Sequence, residues 1–95
     1  MTPAILFHSC ENYAEPIWSR FDALELQGRC VVLECQDGSV TETVFSRKEA
    51  QFFAIAGHLK EGGCEDITDV FAFEMALNVA RVLERRSGLQ LSIYC

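Results

Sequence analysis

The sequence has little positive charge. It contains 8 Lys and Arg against 14 Asp and Glu, which gives a formal net charge of −6 and an isoelectric point near 4.7. Proteins that bind nucleic-acid phosphates do so with clustered Lys and Arg. We therefore expect no direct nucleic-acid binding, and the charge balance instead favours a basic partner.

Long apolar runs are also missing. No stretch approaches the roughly 20 apolar residues that cross a bilayer. The N-terminal stretch MTPAILFHSC has a short apolar run, but no basic segment precedes it and no small-residue cleavage site follows it. We expect a cytoplasmic protein without membrane contact. The 95 residues, 49% of them hydrophobic, suffice for one core, so residues 1–95 are predicted to form a single domain.

Motifs of catalysis and metal binding are absent as well. The five cysteines form no CxxC-like pairs, and Cys30 and Cys35 would point to opposite faces of a strand. The segment after Gly62-Gly63 is acidic, which is the wrong charge for cradling a phosphate, and it lacks the alternating ligands of a calcium loop. We predict a protein that is not an enzyme, with no catalytic residue, metal or cofactor.

Two alternatives to a simple binding protein remain open at this point. The first is a small thiol-dependent or metal-dependent enzyme, or a redox sensor, that uses Cys10 or Cys64. Cys10 precedes a predicted helix whose dipole would favour a thiolate, although the nearby Glu11 and Glu15 oppose it. The second is a homodimeric scaffold that pairs through the strand ending at Cys95 or through one face of a hairpin.

The first half of the chain predicts a strand, a helix and a hairpin. Residues 4–8 are a short apolar run typical of a buried strand. A helix then begins at Asn12 or Glu15 and ends before Gly28. The stretch RCVVLECQDGSVTETVFS predicts a β-hairpin around an Asp37-Gly38 turn, which would pair Cys35 with Val40 and Leu33 with Glu42 on a face directed to the core.

The second half predicts two helices and a closing strand. Ser46 and Glu49 match a capping box, so a second helix is expected from there to Gly62-Gly63. A third helix is predicted over residues 67–87, capped by Asp66 and closed by Gly88, and LQLSIYC alternates as a strand. The predicted order is β-α-β-β-α-α-β. This is an α+β fold with about four mostly antiparallel strands and helices packed on them; a ferredoxin-like sheet with an added helix is one option.

The stretch KEGGCEDITDVF carries the most unusual charge pattern. Residues 61–80 hold five acids and no Lys or Arg. Asp66 and Asp69 suit the start of a helix, where negative charge is favourable, and an ordinary solvated face is an adequate explanation for the others. The competing interpretation is an anionic surface that binds a partner, joined by acids and a Trp of the first helix: Glu61, Glu65, Asp66, Asp69, Glu74, Glu11, Glu15 and Trp18.

In length, acidity, lack of a catalytic motif and a DG hairpin followed by predicted helices, the chain resembles the small phage-encoded inhibitors of bacterial defence known as anti-CRISPR proteins. This resemblance implies a stoichiometric inhibitor in the cytoplasm of a host bacterium. Its carboxylates would meet the Lys and Arg with which subunits of a CRISPR surveillance complex hold nucleic acid. The implied partner is thus a basic protein or nucleoprotein complex.

Overall fold

The protein is described by a computed structural model that covers the backbone of residues 1–95 and every side chain except that of Cys35. A short helix α1 and two 3₁₀ turns precede four consecutive strands, a long helix and a final short strand. Their bounds are α1 Pro3–Leu6, the 3₁₀ turns Glu11–Tyr13 and Trp18–Arg20, β1 Phe21–Cys35, β2 Gly38–Val44, β3 Phe52–Leu59, β4 Cys64–Val70, α2 Phe73–Ser87 and β5 Leu91–Ile93.

Strand β1 organises the sheet, whose order is β2-β1-β3-β4. Its first half pairs with antiparallel β3 on one edge and with parallel β5 on the other. Its second half pairs only with antiparallel β2, because the pairing with β3 ends at Arg29. Strand β4 extends the other side of the sheet by pairing antiparallel with β3. The two halves of β1 therefore lie in different surroundings.

The core lies between one face of this sheet and helix α2. The helix buries residues at positions i, i+3, i+4 and i+7, the spacing of one helical face. These residues meet apolar side chains of the sheet and of the segment around α1; the buried cluster is Leu6, Phe7, Leu24, Leu26, Phe53, Ile55, Ile67, Ala76, Val79, Ala80 and Leu83. The opposite face of the sheet has no helix and carries a polar network built on Gln27 and Arg29.

The fold class is confirmed: the protein is α+β, with a mostly antiparallel sheet, four strands of which are antiparallel and to which β5 adds a parallel strand, and helices packed on it. The closing strand is confirmed as β5. The end of the long helix is also confirmed, since Gly88 adopts φ 73° and its N–H bonds to the Glu84 carbonyl. The element order differs, however, because four segments adopt other structures than their local patterns predict, and the ferredoxin-like option is not formed.

Two of these corrections lie in the first 28 residues. The predicted strand at residues 4–8 is instead the single turn of α1, which begins at Pro3, a residue suited to a first helical position. The predicted first helix is replaced by the 3₁₀ turns and the first half of β1. Leu24 and Leu26 both face the core, as alternation requires, while Ile17 of the expected helical stripe is 67% exposed.

Gly28 lies within β1 and does not end a helix. A side chain there would bring its Cβ to 2.9 Å from the Val44 carbonyl oxygen and 3.0 Å from the Ala50 Cβ. These distances are too short for ordinary packing. The glycine therefore permits β2 and the connection after it to approach β1 closely.

The other two corrections lie between residues 46 and 70. Ser46 and Glu49 form a turn, in which the Glu49 N–H bonds to the Ser46 carbonyl, and the expected second helix is strand β3. The run FFAIAGHL is buried in the middle of the sheet, where apolar residues face both sides. The start of the expected third helix is strand β4, so Asp66 is not an N-cap and Asp69 does not lie in a first helical turn.

The hairpin is confirmed, but its register differs. Gln36 and Asp37 form the two-residue turn, so Leu33 pairs with Val40 and not with Glu42. Leu33 and Val40 are 57% and 50% exposed, because this part of the hairpin extends beyond the region that α2 covers. We call residues 30–42 the β-arm. The predicted inward orientation of Cys35 lies outside the described side chains.

No helix in the described structure has the length and apolar character needed to cross a membrane.

Candidate functional site

The acids of the predicted anionic surface do not lie on one helix face. Glu61 is in the β3–β4 turn, Glu65, Asp66 and Asp69 are in β4, and Glu74 is in the first turn of α2. In a strand, neighbouring side chains point to opposite faces of the sheet. The five carboxylates are therefore distributed over several surfaces, and each has its own environment.

Asp66 is bound to an arginine. Its carboxylate receives two hydrogen bonds from the Arg29 guanidinium, at 3.1 and 2.7 Å. Arg29 is only 13% exposed, and it also donates to the Gln27 Oε1 at 3.0 and 2.9 Å. This bidentate pair crosses three strands on the polar face of the sheet. Asp66 therefore compensates a largely buried charge and holds the sheet together.

Glu65 and Glu15 are also engaged inside the molecule. Glu65 accepts from Arg20 at 3.0 Å, in a pair that is half exposed at both ends. Glu15 accepts from Arg86 at 2.7 and 2.8 Å and from the Trp18 Nε1 at 2.7 Å. These hydrogen bonds lower the pKa of Glu15 to about 2. Through these ion pairs, the segment before β1 is connected to strand β4 and to the end of helix α2.

Trp18 is half-buried and packs against the core. Its ring packs against Phe7 and Phe21, with centroid separations of 6.3 Å in both cases. Its indole N–H is occupied by Glu15. These contacts leave only part of the ring for a partner. Of the acids predicted to bind a partner, Glu11, Glu61, Asp69 and Glu74 are exposed and make no ion pair among the described side chains.

Asp69 has a different environment from the other acids. It lies at the end of β4 and forms no hydrogen bond or ion pair with any described side chain. Burial raises the pKa of this carboxyl, and the neighbouring Asp66 raises it further, whereas Arg29 and His8 act in the opposite direction. Asp69 lines a pocket of about 460 Å³ between α1, the start of β3, the end of β4 and the start of α2.

The β-arm is the second unusual surface. Leu33 and Val40 are directly opposite each other across the two strands, and both are at least half exposed. Three acids and no Lys or Arg lie between residues 30 and 42, namely Glu34, Asp37 and Glu42. None of the three makes an ion pair in the described structure. The arm thus carries an exposed apolar pair and three acids without an ion pair, of which Glu34, next to Leu33 in β1, lies on the opposite face.

The backbone of the β-arm is also incompletely paired. The Val31 N–H, at the edge where β3 no longer follows, is bound at 2.6 Å by the side chain of Gln51. Beyond this point the edge of β1 has no neighbouring strand, and β2 pairs only with β1. Exposed strand edges are common sites for pairing with another chain.

The two cysteines named in the thiol alternative both have thiols with a raised pKa. The Cys10 thiol donates to the Ile67 carbonyl, and burial together with the charge of Glu65 raises its pKa. Cys64 is across the β3–β4 ladder from His58, but its thiol donates to Glu25 at 3.7 Å. Burial and Glu25 raise the pKa of Cys64 as well. A raised pKa opposes formation of the nucleophilic thiolate.

His58 is held by a carboxylate on the same surface. Its Nδ1 is 2.7 Å from the Asp22 Oδ1, which fixes the orientation of the ring. No cluster of three His, Cys, Asp or Glu able to hold a metal ion is found among the described residues. The described contacts at this place are thus the hydrogen bond from Cys64 to Glu25 and the contact of His58 with Asp22.

The comparisons with protein-family models, with curated proteins and with solved structures find no match to this chain.

Sequence reasoning missed both the Arg29–Asp66 pair and the pocket at Asp69. Both depend on β3 and β4 being strands, since the strand ladder places Asp69 opposite Ala54 and Asp66 opposite Ala56. The run FFAIAGHL was the available signal: it is a short apolar segment followed closely by the double glycine Gly62-Gly63, which is typical of a buried strand as well as of a helix.

Proposed function

We propose that this protein is a non-enzymatic binding protein that uses an acidic surface to occupy a basic surface of its partner. The observation that supports this most directly is the exposed Leu33–Val40 pair of the β-arm, on a segment that also carries three acids without an ion pair. Interfaces are commonly apolar at the centre and polar at the rim. The matching partner surface has an apolar contact at its centre and Lys or Arg around it.

Charge also favours a foreign partner over a second copy of the chain. Two β-arms brought together would place three carboxylates of one copy against three of the other, and neither arm contains a base. Like charges in contact oppose association. Strand addition by a basic partner would pair the free edge of the arm and neutralise its charge at once.

Surfaces that hold nucleic acid are the most common basic surfaces of this kind, since they are built to receive phosphate charge. We propose that the protein competes for such a surface as a stoichiometric inhibitor of the anti-CRISPR type, in the cytoplasm of a bacterial host. This part of the proposal depends on the resemblance in size, acidity and absence of catalytic motifs, and the β-arm supplies the contact that such an inhibitor needs.

The test is competition with DNA for purified Cascade-type surveillance complexes, measured by fluorescence anisotropy. The protein is expected to abolish DNA binding near a one-to-one ratio, and less so as salt is raised, because counterions screen the charge contacts. Reversing Glu34, Asp37 and Glu42 to Lys should remove the inhibition.

The matched control reverses Glu49, Glu61 and Glu74 to Lys, which changes the net charge by the same amount but leaves the β-arm intact. Retained inhibition by this variant assigns the contact to the arm. Equal loss in both variants would show that total charge matters and the arm does not. Undiminished DNA binding in the presence of excess wild-type protein contradicts the inhibitor proposal, and light scattering establishes whether a homodimer forms instead.

A further inference from the structure

The pocket at Asp69 has the size and lining of a small-molecule site. Its volume of about 460 Å³ lies within the range of roughly 300–1,000 Å³ found for ligand pockets. Apolar side chains form most of its wall: Ile5, Phe52, Val70, Phe71 and Met75. Only His8 and Asp69 bring ionisable groups to it, and no Lys or Arg lines it.

Phe71 is unusually exposed for a large apolar residue. It lies between β4 and α2 at the edge of the pocket, and 85% of its surface is accessible. Phe52 provides a second aromatic ring in the wall, and His8, stacked on Tyr13 with centroids 6.0 Å apart, supplies a third flat group. Aromatic rings arranged around an open pocket bind flat apolar groups, and their faces attract cations.

Asp69 gives this apolar pocket its charge. The adjacent carboxylate, Asp66, is already neutralised by Arg29, but Asp69 has no partner among the described side chains. Asp69 is an exposed residue that lines the pocket, so its carboxylate is accessible to a ligand. It is suited to bind a cation, because a hydrogen bond between charged groups is stronger than one between neutral groups.

We propose that this pocket binds a small organic cation with a flat apolar body, with the cation on Asp69 and the body between Phe52, Phe71 and Met75. Amidinium, guanidinium and primary ammonium compounds have this chemistry. The site is formed by α1, β3, β4 and α2, and does not include the β-arm, so it is independent of the partner contact proposed above.

Three probes of nearly equal shape and different charge test the proposal: benzamidine, benzamide and benzoate. Each is titrated into the protein while the methyl resonances of Met75 and Ile5 are followed by NMR. Benzamidine is expected to shift both resonances and to bind at least about tenfold more tightly than benzamide, since a hydrogen bond to a charged group contributes about 1.5–3 kcal/mol. Benzoate is expected to bind more weakly than benzamide.

The Asp69→Asn variant keeps the shape of the side chain and removes its charge. It should reduce benzamidine binding to the level of benzamide, while Glu61→Gln, at the other end of β4, should leave it unchanged. An unaltered amide spectrum away from the pocket verifies that each variant is folded. Phe71→Ser should weaken benzamidine and benzamide by similar factors, because it removes the stacking surface that both share.

Equal affinity for all three probes would overturn the proposal, as would undiminished benzamidine binding to Asp69→Asn or shifts confined to other methyl groups. Reversal of the β-arm charges should not affect these titrations. A wild-type protein that binds benzamidine but does not compete with DNA contradicts the proposed function alone, and a wild-type protein that competes with DNA but does not bind benzamidine contradicts the pocket alone.

Discussion

The two halves of strand β1 contain similar residues and have opposite surroundings. Between Phe21 and Arg29 the strand has neighbours on both edges and helix α2 over one face, so Leu24 and Leu26 are fully buried. Between Cys30 and Cys35 it has only β2, and Leu33 is 57% exposed. Burial here is decided by the number of neighbouring elements and not by the hydrophobicity of the segment.

This difference also separates stability from binding. The first half of β1 buries apolar surface, which stabilises the fold by roughly 25 cal/mol per Å² removed from water. The second half leaves apolar surface exposed to water. This surface does not stabilise the fold, and it contributes free energy only when a partner covers it. An apolar residue retained on an exposed strand is consistent with a contact surface.

The largest expected effect contrasts Leu26→Ala with Leu33→Ala. Leu26 is fully buried, so its truncation leaves a cavity and should lower the free energy of unfolding by about 2–5 kcal/mol. Leu33→Ala should change it by no more than about 0.5 kcal/mol, because half of its side chain is already in water. Urea unfolding measures both. Equal destabilisation would mean that the arm packs on the core in solution.

The sequence predicted the hairpin, the closing strand and the end of α2 because each is encoded by local chemistry: a turn next to Gly38, an alternating segment, and Gly88 in a left-handed conformation. It did not predict β3 or the first half of β1. In both segments, apolar residues recur at a spacing that also fits one face of a helix. The two segments are extended because they pair with each other as strands, over a long separation in sequence. Such tertiary contacts override local propensity.

The second prediction concerns the polar face that joins β1 to β4. Asp66→Asn removes the charge that compensates Arg29, which is only 13% exposed, and should lower the free energy of unfolding by about 1.5–3 kcal/mol. The matched control is Glu65→Gln, which disrupts a half-exposed pair with Arg20 and should cost at most about 1 kcal/mol. Similar small losses in both variants would contradict a structural role for Asp66.

The acidic segment illustrates why the candidate site was only partly predictable. The sequence identified an excess of carboxylates between Glu61 and Glu74, but their pairing with Arg20 and Arg29 arises from segments more than 35 residues away. The same strand ladder leaves Asp69 without a partner. Composition gave the sign of the surface charge, and only the tertiary arrangement separates paired carboxylates from those available to a ligand or partner.

The third prediction uses acid to release the N-terminal segment from the end of α2. The pKa of Glu15 is about 2 in the folded protein and 4.5 in its ordinary state, so its stabilisation is present above pH 4.5 and is lost as the pH falls toward 2. The Glu15→Gln variant should lose less free energy of unfolding than the wild-type protein over this pH range. The difference should not exceed about 1 kcal/mol, because the pair is largely solvent-screened. Thermal unfolding from pH 6 to pH 2, at low and high salt, measures it.

The smallest expected effect is on Asp69, whose substitution should raise the stability of the fold, whereas the substitutions above lower it. Since burial raises the pKa of Asp69, with Asp66 adding to the increase and Arg29 and His8 reducing it, the folded protein holds this proton more tightly than the unfolded chain. The carboxylate therefore weakens the fold once the pH is above both pKa values, and protonation relieves it. Asp69→Asn should raise the melting temperature slightly at pH 7, by an amount equivalent to at most about 0.5 kcal/mol, and the advantage should vanish as the pH is lowered. A destabilised variant would mean that Asp69 has a structural partner. If the variant is more stable and no longer binds benzamidine, Asp69 serves binding at some cost to the stability of the fold.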